Sequence, residues 1–266
     1  MPCVRFYTRG AAGSHTYIIA IATDGDNATA TIGNTGVIDS RAYGILATNP
    51  VQLTNDGTIS GKRGSLYFLL AADDTVTNNG HLDGRAQLGG GNDIYHGENG
   101  QITGAVWGQA GDDLLVGGAF ADIFSGGSGS DTLTGGAGAD KLAGAAGADL
   151  LSGGTGDDIF HFATAGESAG DKIVASGGAA AFEGVGTAGG DRIDVSAIDA
   201  NQSLAGMQHF VFGTSHGIGH LWAEDVGNLT HIRGNVAGGA APEFDVAIDD
   251  GAGVHAADYA GVDFIL

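Results

Sequence analysis

The sequence predicts an all-β fold in which the chain winds into stacked parallel coils, and three observations predict it. From Gly108 to His161 the chain repeats every nine residues, reading GQAGDDLLV, GGAFADIFS, GGSGSDTLT, GGAGADKLA, GAAGADLLS, GGTGDDIFH. Upstream, a longer unit recurs, its glycines Gly36, Gly57, Gly80 and Gly100 lying 21, 23 and 20 residues apart. Finally, 51 glycines against 3 prolines in 266 residues, without a three-residue period, demand many turns and exclude a collagen-like chain. Fixed-period self-similarity of this kind is the mark of a repeat architecture.

Taken in order, residues 1–23 form an N-terminal segment or cap without further signal. Residues 24–105 carry the longer repeat: Asn34-Thr-Gly36-Val-Ile38, Asn55-Asp-Gly57-Thr-Ile59, Asn79-Gly80-His-Leu82 and Asn99-Gly100-Gln-Ile102. Short β-type segments flank them, at Thr29–Ile32, Val51–Leu53, Thr75–Thr77 and Ile94–Tyr95. A 20–23-residue period with several short strands suits a right-handed parallel β-helix of one coil per repeat. The asparagines are expected to stack as a ladder at one turn. Leu88–His96 already fits the nine-residue pattern, with Asp93 and Tyr95 in phase. Gly97–Ala105 reads as a degenerate nine and Val106-Trp107 as an insertion. The β-helix is therefore expected to run without a linker into the regular repeat at 106–161.

In each nine the first position is Gly (108, 117, 126, 135, 144, 153), the sixth Asp (113, 122, 131, 140, 149, 158) and the eighth a large apolar residue. The glycine half permits a tight turn. The remainder, such as Thr132-Leu133-Thr134, forms a short strand with its central side chain inward. Two turns and two strands make a coil of eighteen residues. Asp113, Asp131 and Asp149 then stack on one edge and Asp122, Asp140 and Asp158 on the other. Stacked carboxylates repel, and Lys141 is the only basic residue near them. A hard divalent cation between turns removes the repulsion, and Ca²⁺ accepts about six to eight oxygens, backbone carbonyls included. Phe120 stands where the other five nines have Gly111, Gly129, Gly138, Gly147 and Gly156. If that position is left-handed, Phe costs about 1–2 kcal/mol there, and the Asp122 turn is expected to be weak or rearranged.

These nines match the pattern GGxGxDxUx, and the stretch resembles the RTX (hemolysin-type calcium-binding) repeat family. The resemblance implies a calcium-binding parallel β-roll continuing the β-helix as one β-solenoid. It also implies ions held between turns two repeats apart, by sixth-position Asp and turn carbonyls. Four sites follow: 113/131, 131/149, 122/140 and 140/158. The candidate ligands are Asp113, Asp122, Asp131, Asp140, Asp149, Asp158 and Asp93. They are joined by the turn glycines Gly108, Gly111, Gly117, Gly126, Gly129, Gly135, Gly138, Gly144, Gly147, Gly153 and Gly156.

Residues 162–266 follow a different order. Phe162…Glu167-Ser168, Asp171-Lys-Ile173, a Gly/Ala-rich stretch, then Asp191-Arg-Ile193-Asp194-Val195-Ser196-Ala-Ile198-Asp199-Ala resembles the C-terminal domain of serralysin-type M10 metalloproteases. The likeness continues through Phe210–Gly213, Gly219–Trp222, Thr230–Ile232, Gly234–Val236, Phe244–Ile248 and Ala257–Tyr259 to the terminal Asp263-Phe-Ile-Leu266. It implies a β-rich domain ending in an uncleaved type I secretion signal, and so an extracellular or cell-surface location with the type I machinery as a partner. The N-terminus lacks the apolar core of a cleavable secretory signal, which fits that route. Asn235–Glu243 stands where the family often has an aspartate-rich loop, so no extra ion is expected there.

Composition narrows the function. A net charge of −21, from 31 acidic against 10 basic residues, repels nucleic acid and anionic membranes and suits a cation-loaded protein. No run reaches transmembrane length. Cys3 is the single cysteine, so no intramolecular disulfide can staple the chain. The protease half is absent: no H-E-x-x-H occurs, and a zincin site cannot be assembled. His216, His220 and Glu224 have a spacing that would bind Zn²⁺ on a helix, but in a strand residues four apart lie about 13 Å from each other, and a solvated loop is expected. Ser215 between Gly213 and Gly217 lacks the strand-turn-helix context of a nucleophile elbow. A β-helix joined to such repeats also resembles secreted polysaccharide lyases and mannuronan epimerases. Arg41, Lys62 and Arg85 follow the apolar repeat position and could form a stripe, beside Tyr43, Tyr67 and Trp107, although no D-P-H triplet occurs. The expectation is a non-catalytic binding or structural protein, with extracellular polysaccharide or the cell surface as partner. The alternative is a polysaccharide-modifying enzyme or its auxiliary module.

Overall fold

A computed structural model describes residues 4–6, 18–22, 29–187, 189–238, 241–250 and 254–266. Most of the expected N-terminal cap, and part of the Asn235–Glu243 segment, lie outside the described residues. Among the described residues the chain forms a parallel β-solenoid with two long sheets of 11 and 12 strands and a short third sheet of four.

The third sheet explains the change of period. Its strands, Val37–Ser40, Thr58–Gly61, His81–Asp83 and Gln101–Ile102, pair in parallel and give each early coil three sides. Beyond Ile102 the coil has two sides, and the repeat shortens to eighteen residues: Val106 pairs with Phe124, and Phe124 with Leu142. Gly97–Ala105 is therefore not a degenerate nine. It contributes the last third-sheet strand, and Val106, read as part of an insertion, is the inward residue of its coil with no exposed surface.

Inward residues stack into columns along the axis. One column runs Leu66, Ala86, Val106, Phe124, Leu142, Phe160, Ile193, Phe264; the opposite one runs Val76, Tyr95, Leu115, Leu133, Leu151, Ile173, Ile248. These side chains belong to one hydrophobic core that spans both repeat systems and the C-terminal segment. The eighth-position leucines alternate with solvent-facing neighbours because side chains of a strand point alternately to its two faces. Strands in the regular repeat are longer than expected: Thr132–Ala137 and Leu150–Thr155 take in the first two glycines of the next nine, leaving a turn of three residues.

An asparagine ladder staples the three-sided coils. The Asn34 amide donates to Asn55 Oδ1 at 2.7 Å, Asn55 to Asn78 Oδ1 at 2.8 Å, and Asn78 to the Gln101 carbonyl at 3.2 Å. The third rung is Asn78, not Asn79. Asn79 lies on the exposed side, bonding Asp56 at 2.8 Å and Asn99 at 3.4 Å. The neighbouring glycine column is equally constrained: a Cβ on Gly80 would fall on the Gly57 carbonyl oxygen.

Past residue 162 the solenoid is capped. Lys172–Val174 and Phe244–Asp249 extend one long sheet, and Arg192–Asp194 and Phe264–Ile265 extend the other. An antiparallel meander of His220–Val226, Leu229–Asn235 and Phe244–Asp249 completes this end.

Candidate metal centre

The sixth-position aspartates stand in two buried columns, built by backbone hydrogen bonding. Except at Asp122, each Oδ1 accepts the N–H of the aspartate one coil before it. In the regular repeat these bonds run from Asp113 N to Asp131, Asp131 N to Asp149, Asp122 N to Asp140 and Asp140 N to Asp158, at 2.7–2.8 Å. Asp93 joins the first column, donating to Asp113 at 2.8 Å and accepting from Asp74 at 2.7 Å. Three members lie outside the strict repeat. Asp171 accepts from Asp149 at 2.8 Å, Asp191 accepts from Asp158 at 2.9 Å, and Asp74 accepts from Val51 N. Asp-x-apolar triplets mark all three: Asp74-Thr-Val76, Asp171-Lys-Ile173 and Asp191-Arg-Ile193, each with a fully buried third residue. That signal, rather than counting by nine, identifies them in the sequence.

The second oxygen has no such partner. Oδ2 of Asp93, Asp113, Asp131, Asp140, Asp149, Asp158 and Asp171 is buried and makes no hydrogen bond. In the regular nines it rests on the first-position glycine of its own repeat: a Cβ on Gly126 or Gly153 would occupy the place of Asp131 or Asp158 Oδ2. Glycine at position one is thus a condition for the carboxylate to be there. The fourth-position glycines have a separate requirement. Gly111, Gly129, Gly138, Gly147 and Gly156 have φ of +121°, +132°, +128°, +148° and +133°.

Burial is the largest influence on these carboxyls, and it raises their pKa values. From 3.8, Asp131 and Asp140 move up to about 7, Asp93 to about 8 and Asp113 to about 6. Asp74, Asp171 and Asp191 reach about 7, and Asp149 and Asp158 are raised as well. Hydrogen bonds from backbone N–H oppose the rise, and neighbouring carboxylates in the column add to it for Asp93, Asp131 and Asp140. A buried carboxylate oxygen with no donor costs free energy unless it is protonated or meets a cation. Such oxygens fit a hard divalent ion, which prefers anionic and carbonyl oxygen. Among the described residues no three His, Cys, Asp or Glu side chains converge on one point, so backbone carbonyls must complete any coordination shell here.

The Phe120 turn is rearranged. Phe120 is not at positive φ and is 46% exposed, and the preceding strand, Leu114–Val116, stops after three residues. Asp122 takes part in the ladder as a donor, its N–H to Asp140 Oδ1 at 2.7 Å, and its Oδ2 accepts the Gly118 N–H at 3.3 Å, unlike its counterparts. Its carboxyl still rises to about 6 through burial.

The other candidate residues are not brought together, and His220 and Glu224 lie in the strand His220–Val226 rather than in the expected loop. His216 stacks on Trp222 with centroids 4.5 Å apart, His220 Nδ1 lies 3.1 Å from the Ile218 carbonyl, and Glu224 pairs with Arg233 at 2.6 Å. Ser215 Oγ accepts only the Gly217 N–H, at 3.5 Å. No helix among the described residues is long and apolar enough to cross a membrane.

A family model for the RTX calcium-binding nonapeptide repeat, in four copies, matches residues 107–142 and 134–163. Among curated proteins no sequence matches. Among solved structures, a similar one is the solution structure of the AlgE6R3 subunit from the Azotobacter vinelandii mannuronan C5-epimerase. It is 31% identical over 58% of this chain and 78% of that one, with a TM-score of 0.41. The matched residues carry Asp113, Asp122, Asp131, Asp140, Asp149 and Asp158 of the two columns, and this stretch of the chain consists of RTX calcium-binding nonapeptide repeats.

Proposed function

We propose that this is an exported protein whose β-solenoid orders when calcium enters the aspartate columns. Ions bridge successive coils at 113/131, 131/149, 122/140 and 140/158. The sixth-position carboxylates hold them together with turn carbonyls contributed by the first- and fourth-position glycines. Asp93 extends the first column toward the N-terminal coils. The carrying observation is the set of buried Oδ2 atoms without hydrogen-bond partners, repeated coil after coil. Bound calcium supplies positive charge between stacked carboxylates; the chain's part is to hold those oxygens in register through the Oδ1–N–H ladder.

Export follows the type I route, through a C-terminal segment resembling that of serralysins, and calcium outside the cell completes folding. The mature role is non-catalytic, a binding or structural protein in the extracellular space or at the cell surface. His216, His220 and Glu224 engage separate partners, and the buried aspartates are committed to the columns. Native mass spectrometry of the full chain in calcium tests the reading. Uptake of about four or more ions, reduced by two in D131N, supports it; a chain that stays ion-free at millimolar calcium overturns it.

A further inference from the structure

We propose that one corner of the N-terminal coils, formed by Arg41, Lys62, Arg63 and Arg85 with Tyr67 and Trp107 beside them, binds a carboxylated polysaccharide. The proposal rests on the calcium-folded, exported reading above and gives that protein its ligand class.

The charge distribution is the first observation. The chain has 10 basic residues against 31 acidic ones, so a partner carboxylate is easy to supply. At the far end three of the four basic residues have one, Arg192 being the exception: Lys141 lies 3.6 Å from Asp194, Lys172 3.0 Å from Asp249, and Arg233 2.6 Å from Glu224. Among the described residues Arg41, Lys62, Arg63 and Arg85 form no salt bridge, and Arg85 Nε is buried without a hydrogen-bond partner.

The coil register brings them together. Lys62 N donates to the Ser40 carbonyl at 3.2 Å and Arg63 N to the Ala42 carbonyl at 2.8 Å, which sets this pair directly over Arg41. Ser65 N donates to the Arg85 carbonyl at 2.8 Å, placing Arg85 on the next coil. With coils about 4.8 Å apart, the cations span about 10 Å along the axis. Stacked like charges are unfavourable in the same way as the aspartates on the other edges, and here the missing counter-charge is an anion. An open depression between them is lined by Lys62, Arg63, Arg85 and the glycines 61, 64 and 84. Its floor is bare backbone, so a ligand can approach closely.

The aromatic residues narrow the ligand. Tyr43 and Tyr67 stack at 4.4 Å, and the Arg85 guanidinium sits 5.2 Å from the Trp107 ring centre, all on the face adjoining the depression. Tyr67 and Trp107 are partly exposed. An anion in an extended row, carrying apolar C–H faces between its charges, satisfies both features; a chain of uronic acids is such a molecule.

The test is isothermal titration calorimetry of the calcium-loaded full chain with purified oligouronates of about six sugars, too short to gel, and with a neutral glucan of equal length. Circular dichroism on the same samples reports folding. Expected are binding of the oligouronate and not the glucan, and weakening with added salt. The double substitution Lys62→Gln, Arg63→Gln should weaken binding at least about tenfold, since each lost charge-assisted bond removes a comparable factor. Arg192→Gln, on an exposed residue near the opposite end, should leave it unchanged. The proposal is overturned if the folded wild type does not bind, if the double variant binds equally well, or if duplex DNA or anionic vesicles bind as tightly. A chain that fails to fold in calcium instead overturns the calcium reading, and the dichroism separates the two failures.

Discussion

Replacing Asp131 by Asn should change sign with calcium. Asp131 is 1% exposed, accepts the Asp113 N–H through Oδ1, and has an Oδ2 without a partner. In the calcium-free chain at pH 8 the folded state must bury this carboxylate ionised or take up a proton. The displacement of its pKa from 3.8 to about 7 then opposes folding by about 4 kcal/mol. Asparagine keeps the Oδ1 acceptor and removes the charge, but its buried NH₂ lacks an acceptor and costs back about 1–3 kcal/mol. The net gain for the calcium-free fold is about 1–3 kcal/mol. With calcium the balance reverses, because Asp131 belongs to two of the proposed sites and the neutral amide is a poorer ligand. The calcium concentration at half-folding should rise at least about tenfold. The assay is circular dichroism, with trimethylamine oxide driving folding in EDTA and calcium driving it otherwise. D131N should need less osmolyte and more calcium than the wild type. A variant that folds less readily in both titrations, or one with an unchanged calcium midpoint, would refute the reasoning.

Three further outcomes follow from the same geometry. Gly153→Ala places a Cβ on Asp158 Oδ2 and should weaken the calcium response more than Gly166→Ala, whose Cβ meets open space; comparing calcium titrations checks this. Ala145→Gly should stabilise the calcium-loaded protein by about 1 kcal/mol, read as a higher melting temperature, because Ala145 sits at φ +73° where an L side chain is strained. Raised carboxyl values mean that the folded, calcium-free chain binds more protons than the unfolded one between about pH 4 and 8. The contribution of these carboxyls to its stability should therefore be greatest at about pH 4 and fall continuously as pH rises to about 8, while calcium affinity climbs over the same interval; denaturation in EDTA across pH would show the slope.

The regular nines were legible because period, turn chemistry and apolar phase agree at every repeat. Leu115, Phe124, Leu133, Leu142, Leu151 and Phe160 could each be placed inside from the eighth position alone, and each is buried. Legibility fails where the coil changes shape. Counting by nine treats Gly97–Ala105 as a damaged repeat, whereas a third side of the coil absorbs the extra residues as Gln101–Ile102. The asparagine ladder was readable in kind but slipped by one, since Asn78 and Asn79 are adjacent and only strand register chooses between them. Asp171 and Asp191 escape any fixed period because a short helix at Ala165–Ser168 and the stretch before Asp191 intervene, yet both return to the column. The serine, histidine and glutamate spacings of the C-terminal part carried no comparable redundancy, and the structure sends those side chains to different neighbours.

The most direct test of the central claim is the far-ultraviolet circular dichroism of the full chain at pH 8, first in EDTA and then with calcium added. The account predicts a largely disordered chain in EDTA that gains β-structure cooperatively as several ions bind. A chain already fully β-structured in EDTA, with no change on adding calcium, would contradict it.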